Sequence, residues 1–278
     1  MEKIGIVLGG GGAKGAYQLG VWQAINFLGF TDKITGFSGA SIGALNGVLF
    51  GTKTIEDSEK IWELSKVKPF NKENLKSKDR ALYHVLGDEK YRAVDNIRRN
   101  AFLSSKALEQ LIIDNLNFED VKKSNRAFYV VCSNKEKPVY YDLKTLDNQN
   151  DFNKIIRATA SIPYLFKPVK YHDLVLNDGG ISDNIPIKPL LDQGYKNIIV
   201  VKLNKNYYDF HTLDEKYPEV NIVVIEPSED LGDFINGTIN FYDDKIDESV
   251  KKGYQDGLAV LGDYFIALNH KYEQITNI

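Results

Sequence analysis

The chain has 278 residues, enough to bury a large core in one or two domains. Its 43% hydrophobic and 26% charged residues fit a globular protein, and a net charge of -3 gives no general attraction for nucleic acid. The lone cysteine, Cys132, excludes an intrachain disulfide and a thiolate metal site, and its apolar neighbours 127–131 assign it to the core.

Residues 4–8 are an apolar run that ends at glycines, which predicts a buried strand. The run is too short for a secretory signal, and no stretch has the length of a membrane-spanning helix. The expectation is a cytoplasmic protein. Peripheral contact with a bilayer stays open, because it needs only an apolar patch. Nothing in the sequence fixes an oligomeric state.

A helix is predicted over 14–28, with Tyr17, Val21, Ala24, Ile25 and Leu28 on one face. A strand over 34–37 and a helix over 42–50 follow, so the chain opens β-α-β-α, the start of an α/β layered fold. Residues 55–67 read as a helix. Residues 68–100 are polar and charged with scattered aromatics such as Tyr83 and Tyr91, and read as a cap or surface insertion within a single domain, 1–278. Ser104 or Ser105 is placed to cap a helix carrying Leu108, Leu111, Ile112 and Leu116. Strands are predicted at 127–132 and 139–143, then a short helix over 151–160 stopped by Pro163. A strand over 173–177 leads into Asp178-Gly179-Gly180, and a helix is expected from Pro186. Strands at 197–201 and 221–225 precede a last helix over 244–269. That helix aligns Val250, Tyr254, Leu258, Leu261, Phe265 and Leu268 on one face.

Gly10, Gly12 and Gly15 have the spacing of a dinucleotide-binding turn. That site wants an acid at the end of the next strand, where this chain has Phe37-Ser38-Gly39. A phosphate loop wants Gly-Lys followed by Ser or Thr, whereas Lys14 stands between Ala13 and Gly15. A plain turn needs fewer glycines than the four in a row here. Gly10, Gly11 and Gly12 suit a loop that aims several N–H groups at one point, as an oxyanion site requires. Lys14 either supports that loop, attracts an anionic head group, or is simply solvated.

Ser41 lies in Gly39-Ala40-Ser41-Ile42-Gly43, between a strand and a helix. A serine on such a turn projects its hydroxyl from the sheet edge and can attack a carbonyl. Gly39 and Gly43 let the backbone turn sharply, and the helix N-terminus favours negative charge nearby. Four histidines, His84, His172, His211 and His270, compete for the role of base, and none is well placed. Asp178 follows an apolar strand at the functional edge of this sheet class and precedes Gly179 and Gly180. Its carboxylate would be a poor base in water, and burial would improve it. These residues alone support an ester or thioester hydrolase working through Ser41 and Asp178.

At this point the sequence resembles the patatin-like phospholipase family. Gly10-Gly11-Gly12-Ala13-Lys14-Gly15 resembles its glycine-rich oxyanion motif, with lysine where arginine is common. Gly39 to Gly43 followed by Ala44-Leu45-Asn46 resembles its nucleophile elbow, and Asp178-Gly179-Gly180 with Asp183, Asn184 and Pro186 its aspartate segment. The run from Ala158 to Pro163 resembles a segment that helps shape the site. The resemblance covers about residues 4–203. It implies a three-layer α/β/α fold with a mainly parallel sheet, a Ser-Asp dyad, no metal or other cofactor, and hydrolysis of acyl esters in lipids. A lipid substrate needs an apolar groove, for which Tyr164, Leu165 and Phe166 are candidates unless they pack in the core. Two other readings keep the fold: a lipid- or protein-binding module without turnover, and a peptidase or amidase.

Overall fold

The computed structural model describes residues 3–66, 77–101, 114–163, 166–205, 208 and 210–276. Its centre is an eight-stranded sheet. The strands are β1 (Ile4–Leu8), β2 (Ile34–Ala40), β3 (Ala127–Asn134), β4 (Lys137–Asp142), β5 (Val169–Tyr171), β6 (Leu174–Asp178), β7 (Asn197–Val201) and β8 (Asn221–Ile225). The order is β5-β6-β3-β2-β1-β7-β8, and β4 also pairs with β3. Strands β3, β2, β1, β7 and β8 are parallel, whereas β4, β5 and β6 add antiparallel pairings beside β3.

Helices cover both faces. They are α1 (Ala16–Phe27), α2 (Ile42–Thr52), α3 (Ile55–Ser65), α4 (Ser77–Ala101), α5 (Phe118–Lys123), α6 (Gln149–Thr159), α7 (Lys188–Asp192), α8 (Phe210–Lys216) and α9 (Asp243–Thr276). The alternation within strands shows the three layers. Ile6, Leu8, Ile199 and Val201 join the core under α1, α2, α6 and α9. Val7, Ile198 and Val200 join a second core with Ile187, Leu190 and Tyr195, against which Phe210 and Leu213 of α8 pack. Strands buried on both faces read as continuous apolar runs, which is what β1 and β7 are.

Small residues set how closely α2 meets the sheet. A Cβ on Gly43 would lie 2.0 Å from the Leu8 carbonyl oxygen, and one on Gly51 would lie 2.2 Å from the Phe128 ring. The long helix α9 crosses α1 as closely, and Tyr17 Oη donates to Asp256 Oδ2 at 2.9 Å. Its buried face carries Ile246, Leu261 and Phe265, and Phe265 stacks on Phe30.

Several expected boundaries move. The predicted helix at 14–28 begins as a 3-10 turn, Gly12–Gly15, before α1. Pro186 lies ahead of α7 rather than in it, and Pro189 takes the early helical position. Strand β5 is three residues long, too short to leave a periodic signal. Helix α8 lies in a stretch that reads as a polar loop. The 68–100 segment contributes α4, which is interrupted at Gly87 (φ 74°). Leu108, Leu111 and Ile112 fall outside the described residues, and Leu116 is buried. Among the described residues no helix is long and apolar enough to cross a membrane.

Candidate active site

Ser41 occupies the single residue between β2 and α2, at φ 53° and ψ -127°. A non-glycine residue in such a conformation stores roughly 1–3 kcal/mol of strain. The surroundings hold it there. The Ser41 N–H donates to Thr159 Oγ1 at 2.9 Å, and the Thr159 hydroxyl donates to the Val131 carbonyl at 2.6 Å. Gly39 and Gly43 permit the tight return, since a Cβ on Gly39 would lie 2.5 Å from the Ala44 nitrogen.

Sheet register explains why Asp178 meets this serine. Ala40 of β2 pairs with Val131 of β3, and the next residue along β3, Cys132, pairs with Asp178 of β6. Strand β6 runs antiparallel to β3, so its last residue arrives at the height of Ser41 from across one strand. Ser41 Oγ donates to Asp178 Oδ2 at 2.6 Å, and the Gly180 N–H donates to Oδ1 at 2.8 Å. The Asp178 N–H donates to the Ser161 carbonyl at 3.0 Å. Thr159 and Ser161 thus tie the 158–163 segment to both residues. Gly179 is fixed by proximity, because a Cβ there would lie 2.1 Å from the Val131 carbonyl oxygen.

Both side chains are buried, Ser41 at 5% exposure and Asp178 at 6%. Burial lifts the Asp178 pKa from 3.8 to about 6, and the hydrogen bonds from Ser41 and Gly180 pull against that rise. A carboxyl in this range is ionised at neutral pH yet basic enough to accept a proton.

The glycine segment lies against the same pair. A Cβ on Gly10 would sit 3.1 Å from Ser41 Cβ and 2.6 Å from Asn184 Oδ1. Asn184 clamps Gly10 from both sides: the Gly10 N–H donates to Oδ1 at 3.0 Å, and Nδ2 donates to the Gly10 carbonyl at 3.3 Å. The N–H groups of Gly11 and Gly12 make no hydrogen bond among the described residues. Gly12 has φ 58°, and a Cβ there would lie 2.1 Å from the Thr238 carbonyl oxygen. Lys14 is buried rather than solvated. Its ammonium donates to Asn204 Oδ1 at 2.9 Å, and burial lowers its pKa against the pull of Asp230 and Asp233.

The remaining candidates divide. Tyr164 and Leu165 lie outside the described residues, and Phe166 is half-buried with its N–H on the Ile162 carbonyl at 2.9 Å. His84 is exposed on α4, and exposed His172 sits in the turn between β5 and β6 against Tyr171. Cys132 is buried, and burial raises its thiol pKa further. Asn184 and Thr159 carry the supporting hydrogen bonds. Both stood inside motifs visible in the sequence, without a signal of what each would hold.

The layered fold thus carries a strained serine, at the turn between a parallel strand and a helix, hydrogen-bonded to a buried aspartate. Comparison with known proteins makes this specific. The profile of the patatin-like phospholipase family matches residues 6–191, and the chain belongs to that family. The Lysophospholipase NTE1 of Cryptococcus neoformans var. neoformans serotype D is 25% identical over 241 residues, covering 87% of this chain and 12% of that protein. The Lysophospholipase NTE1 of Candida albicans is 23% identical over 217 residues, covering 78% of this chain and 14% of that protein. The chain therefore spans only a small part of these relatives' length. Among solved structures, VipD from Legionella pneumophila superposes with a TM-score of 0.55 at 17% identity, covering 94% of this chain and 67% of that one. Human GIVD cytosolic phospholipase A2 does so at 0.53 and 11% identity, covering 96% and 59%. These likenesses show the fold.

Proposed function

We infer that the chain is a serine acyl hydrolase that cleaves carboxylic esters of lipids, with phospholipids and lysophospholipids as the substrate class. The 2.6 Å hydrogen bond between Ser41 and Asp178 carries the reading, because it joins a strained, buried hydroxyl to a carboxyl held near pKa 6. Membership of a phospholipase family and similarity to proteins named as lysophospholipases support the choice of lipid esters. In this reading the protein is cytoplasmic and meets its substrate at a membrane surface.

Ser41 Oγ attacks the ester carbonyl while Asp178 Oδ2 takes its proton. The carbonyl oxygen becomes an oxyanion, for which the N–H groups of Gly11 and Gly12 are the free donors of the glycine segment. The Gly10 N–H is held by Asn184 and acts as the anchor of that segment. Collapse breaks the bond to the alcohol, which leaves with the proton from Asp178. Water then attacks the acyl-serine, Asp178 takes a proton from it, and that proton returns to Ser41 as the fatty acid departs.

The test uses purified protein and S41A on p-nitrophenyl esters from acetate to palmitate, with fluorophosphonate labelling in parallel. Turnover and labelling that both vanish in S41A support the assignment. A folded wild type with neither signal refutes it and favours a binding role.

A further inference from the structure

Two hairpins rise past the dyad. β3 runs beyond Val131, the partner of Ala40, and turns into β4 through Lys135 and Glu136. β6 descends antiparallel to β3 until Asp178 meets Cys132, so the residues ahead of Asp178 lie farther out than the dyad. At roughly 3.3 Å per residue, Lys135 and Val175 both stand about 10 Å beyond that level. One face of the β5–β6 hairpin is covered, since Val169, Tyr171 and Leu176 join the core with Ile155 and Ile156 of α6. Its other face is open, and there Lys170 and Val175 are direct cross-strand partners, both exposed. Val175 (44% exposed) precedes Asp178 in the chain and Ile181 (46%) follows it, so apolar side chains left in water bracket the base.

The charge of these hairpins opposes that of the chain. Lys135, Lys137, Lys167 and Lys170 are exposed against only Glu136 and Asp173, in a chain of net charge -3. None of the four ammonium groups has an ion-pair or hydrogen-bond partner among the described residues. Lysines elsewhere commonly pair with carboxylates, as Lys66 does with Asp247, Lys188 with Asp192 and Lys252 with Glu229. Both tips also turn through strained residues: Lys135, Glu136 and His172 have φ of 49°, 62° and 50°, where glycine or asparagine is usual. Holding Lys135 there costs backbone energy and gains a cation beside the site. We propose that the open face of the β5–β6 hairpin and the β3–β4 tip form a docking surface for an anionic lipid bilayer. The lysines meet the phosphates, and Val175 and Ile181 enter the boundary with the acyl chains. The purpose of the surface, to hold Ser41 and Asp178 against a lipid ester, rests on the hydrolase reading above; the binding itself does not.

The test is cosedimentation of S41A, which leaves lipid uncleaved, with vesicles of phosphatidylcholine alone or mixed with phosphatidylglycerol. Binding should favour the mixed vesicles and weaken as salt is added. In the same background, K135E/K170E should lower that binding about tenfold, and V175D/I181D by a similar factor. K60E/K188E makes the same charge change at exposed positions of α3 and α7 and should bind as S41A does. Thermal unfolding, and p-nitrophenyl acetate turnover with Ser41 restored, check that the hairpin variants keep the fold and the site. Equal binding to both vesicle types, an equal loss in K60E/K188E, or unchanged binding in either hairpin variant overturns the proposal. Absence of binding to any vesicle also overturns it, in favour of an acidic protein as partner, and ester turnover in that protein leaves the hydrolase reading standing. Vesicle binding that K135E/K170E abolishes supports the surface even where wild type cleaves no ester and the hydrolase reading fails.

Discussion

The two walls of the site are built differently. The wall that carries Ser41 and Asp178 belongs to the sheet: β2 and β6, each in fixed register on one side of β3, bring both residues to one height. The opposite wall, the glycine segment, has no such frame beyond the Gly9 N–H on the Val201 carbonyl. Side chains and backbone from distant parts of the chain hold it: Asn184 on Gly10, Asn204 on Lys14, and Thr238 against Gly12. A ladder of backbone hydrogen bonds tolerates loss of a side chain, whereas a loop held by single side chains does not. Substitutions on the first wall should therefore act on chemistry, and those on the second on geometry.

Removing the base gives the largest effect. D178N should lower kcat by about a thousandfold, since asparagine cannot take the serine proton. It should also raise stability. The folded pKa of Asp178 is about 6 against 3.8 for the ordinary group, so the folded state holds its proton more tightly. The associated stability is full below the unfolded pKa and is lost as pH rises through about 6. The shift corresponds to about 3 kcal/mol at neutral pH. Urea unfolding of wild type and D178N should diverge between pH 4 and 6 in favour of D178N and stay parallel above. The same shift predicts that wild-type kcat/KM falls below about pH 6 as the base protonates. A profile that stays flat to pH 4 counts against Asp178.

The next largest effect falls on the other wall. N184A frees the Gly10 N–H and carbonyl together, and the segment loses its tie to the aspartate loop. We expect kcat to fall by roughly a hundredfold with KM little changed, below the full loss of an oxyanion donor. The pH midpoint near 6 should stay, because Asp178 keeps both its partners. A shifted midpoint would show that Asn184 acts on the carboxyl instead. T159V should do less. It leaves the Ser41 N–H unpaired in a buried place, a loss of about 1–3 kcal/mol in stability that thermal unfolding would read. The strand ladder still positions Ala40, so turnover should drop only about tenfold.

This division also decides what the sequence discloses. Ser41, Asp178 and the glycines are legible because each sits where an apolar run meets a turn, and local periodicity marks those places. Strands β1, β7 and β8 are legible for the same reason. The clamp from Asn184 to Gly10 is not, since its partners lie 174 residues apart and an asparagine in a loop has many uses. The short β5 and the polar helix α8 leave too few apolar repeats to register.

Lys14 should give the smallest change, and it tests the comparison most sharply. Its ammonium is buried at 6% exposure with Asn204 as hydrogen-bond partner, and the desolvation that lowers its pKa outweighs the attraction of Asp230 and Asp233. A Lys held below its ordinary value destabilises the fold while charged, and this penalty is relieved as pH rises from its folded pKa toward 10.5. K14M keeps the apolar stem that packs under Gly237 and discards the charge. It should match or exceed wild type in thermal stability at neutral pH. The Asn204 tether goes, so the glycine segment loosens and kcat should drop about threefold, well short of the effect of N184A. Restoring a tether with K14R should recover part of that loss. A hundredfold drop in K14M on lipid substrates, absent on neutral p-nitrophenyl esters, would place the ammonium against the head group and make this residue part of substrate binding, not a strut of the second wall.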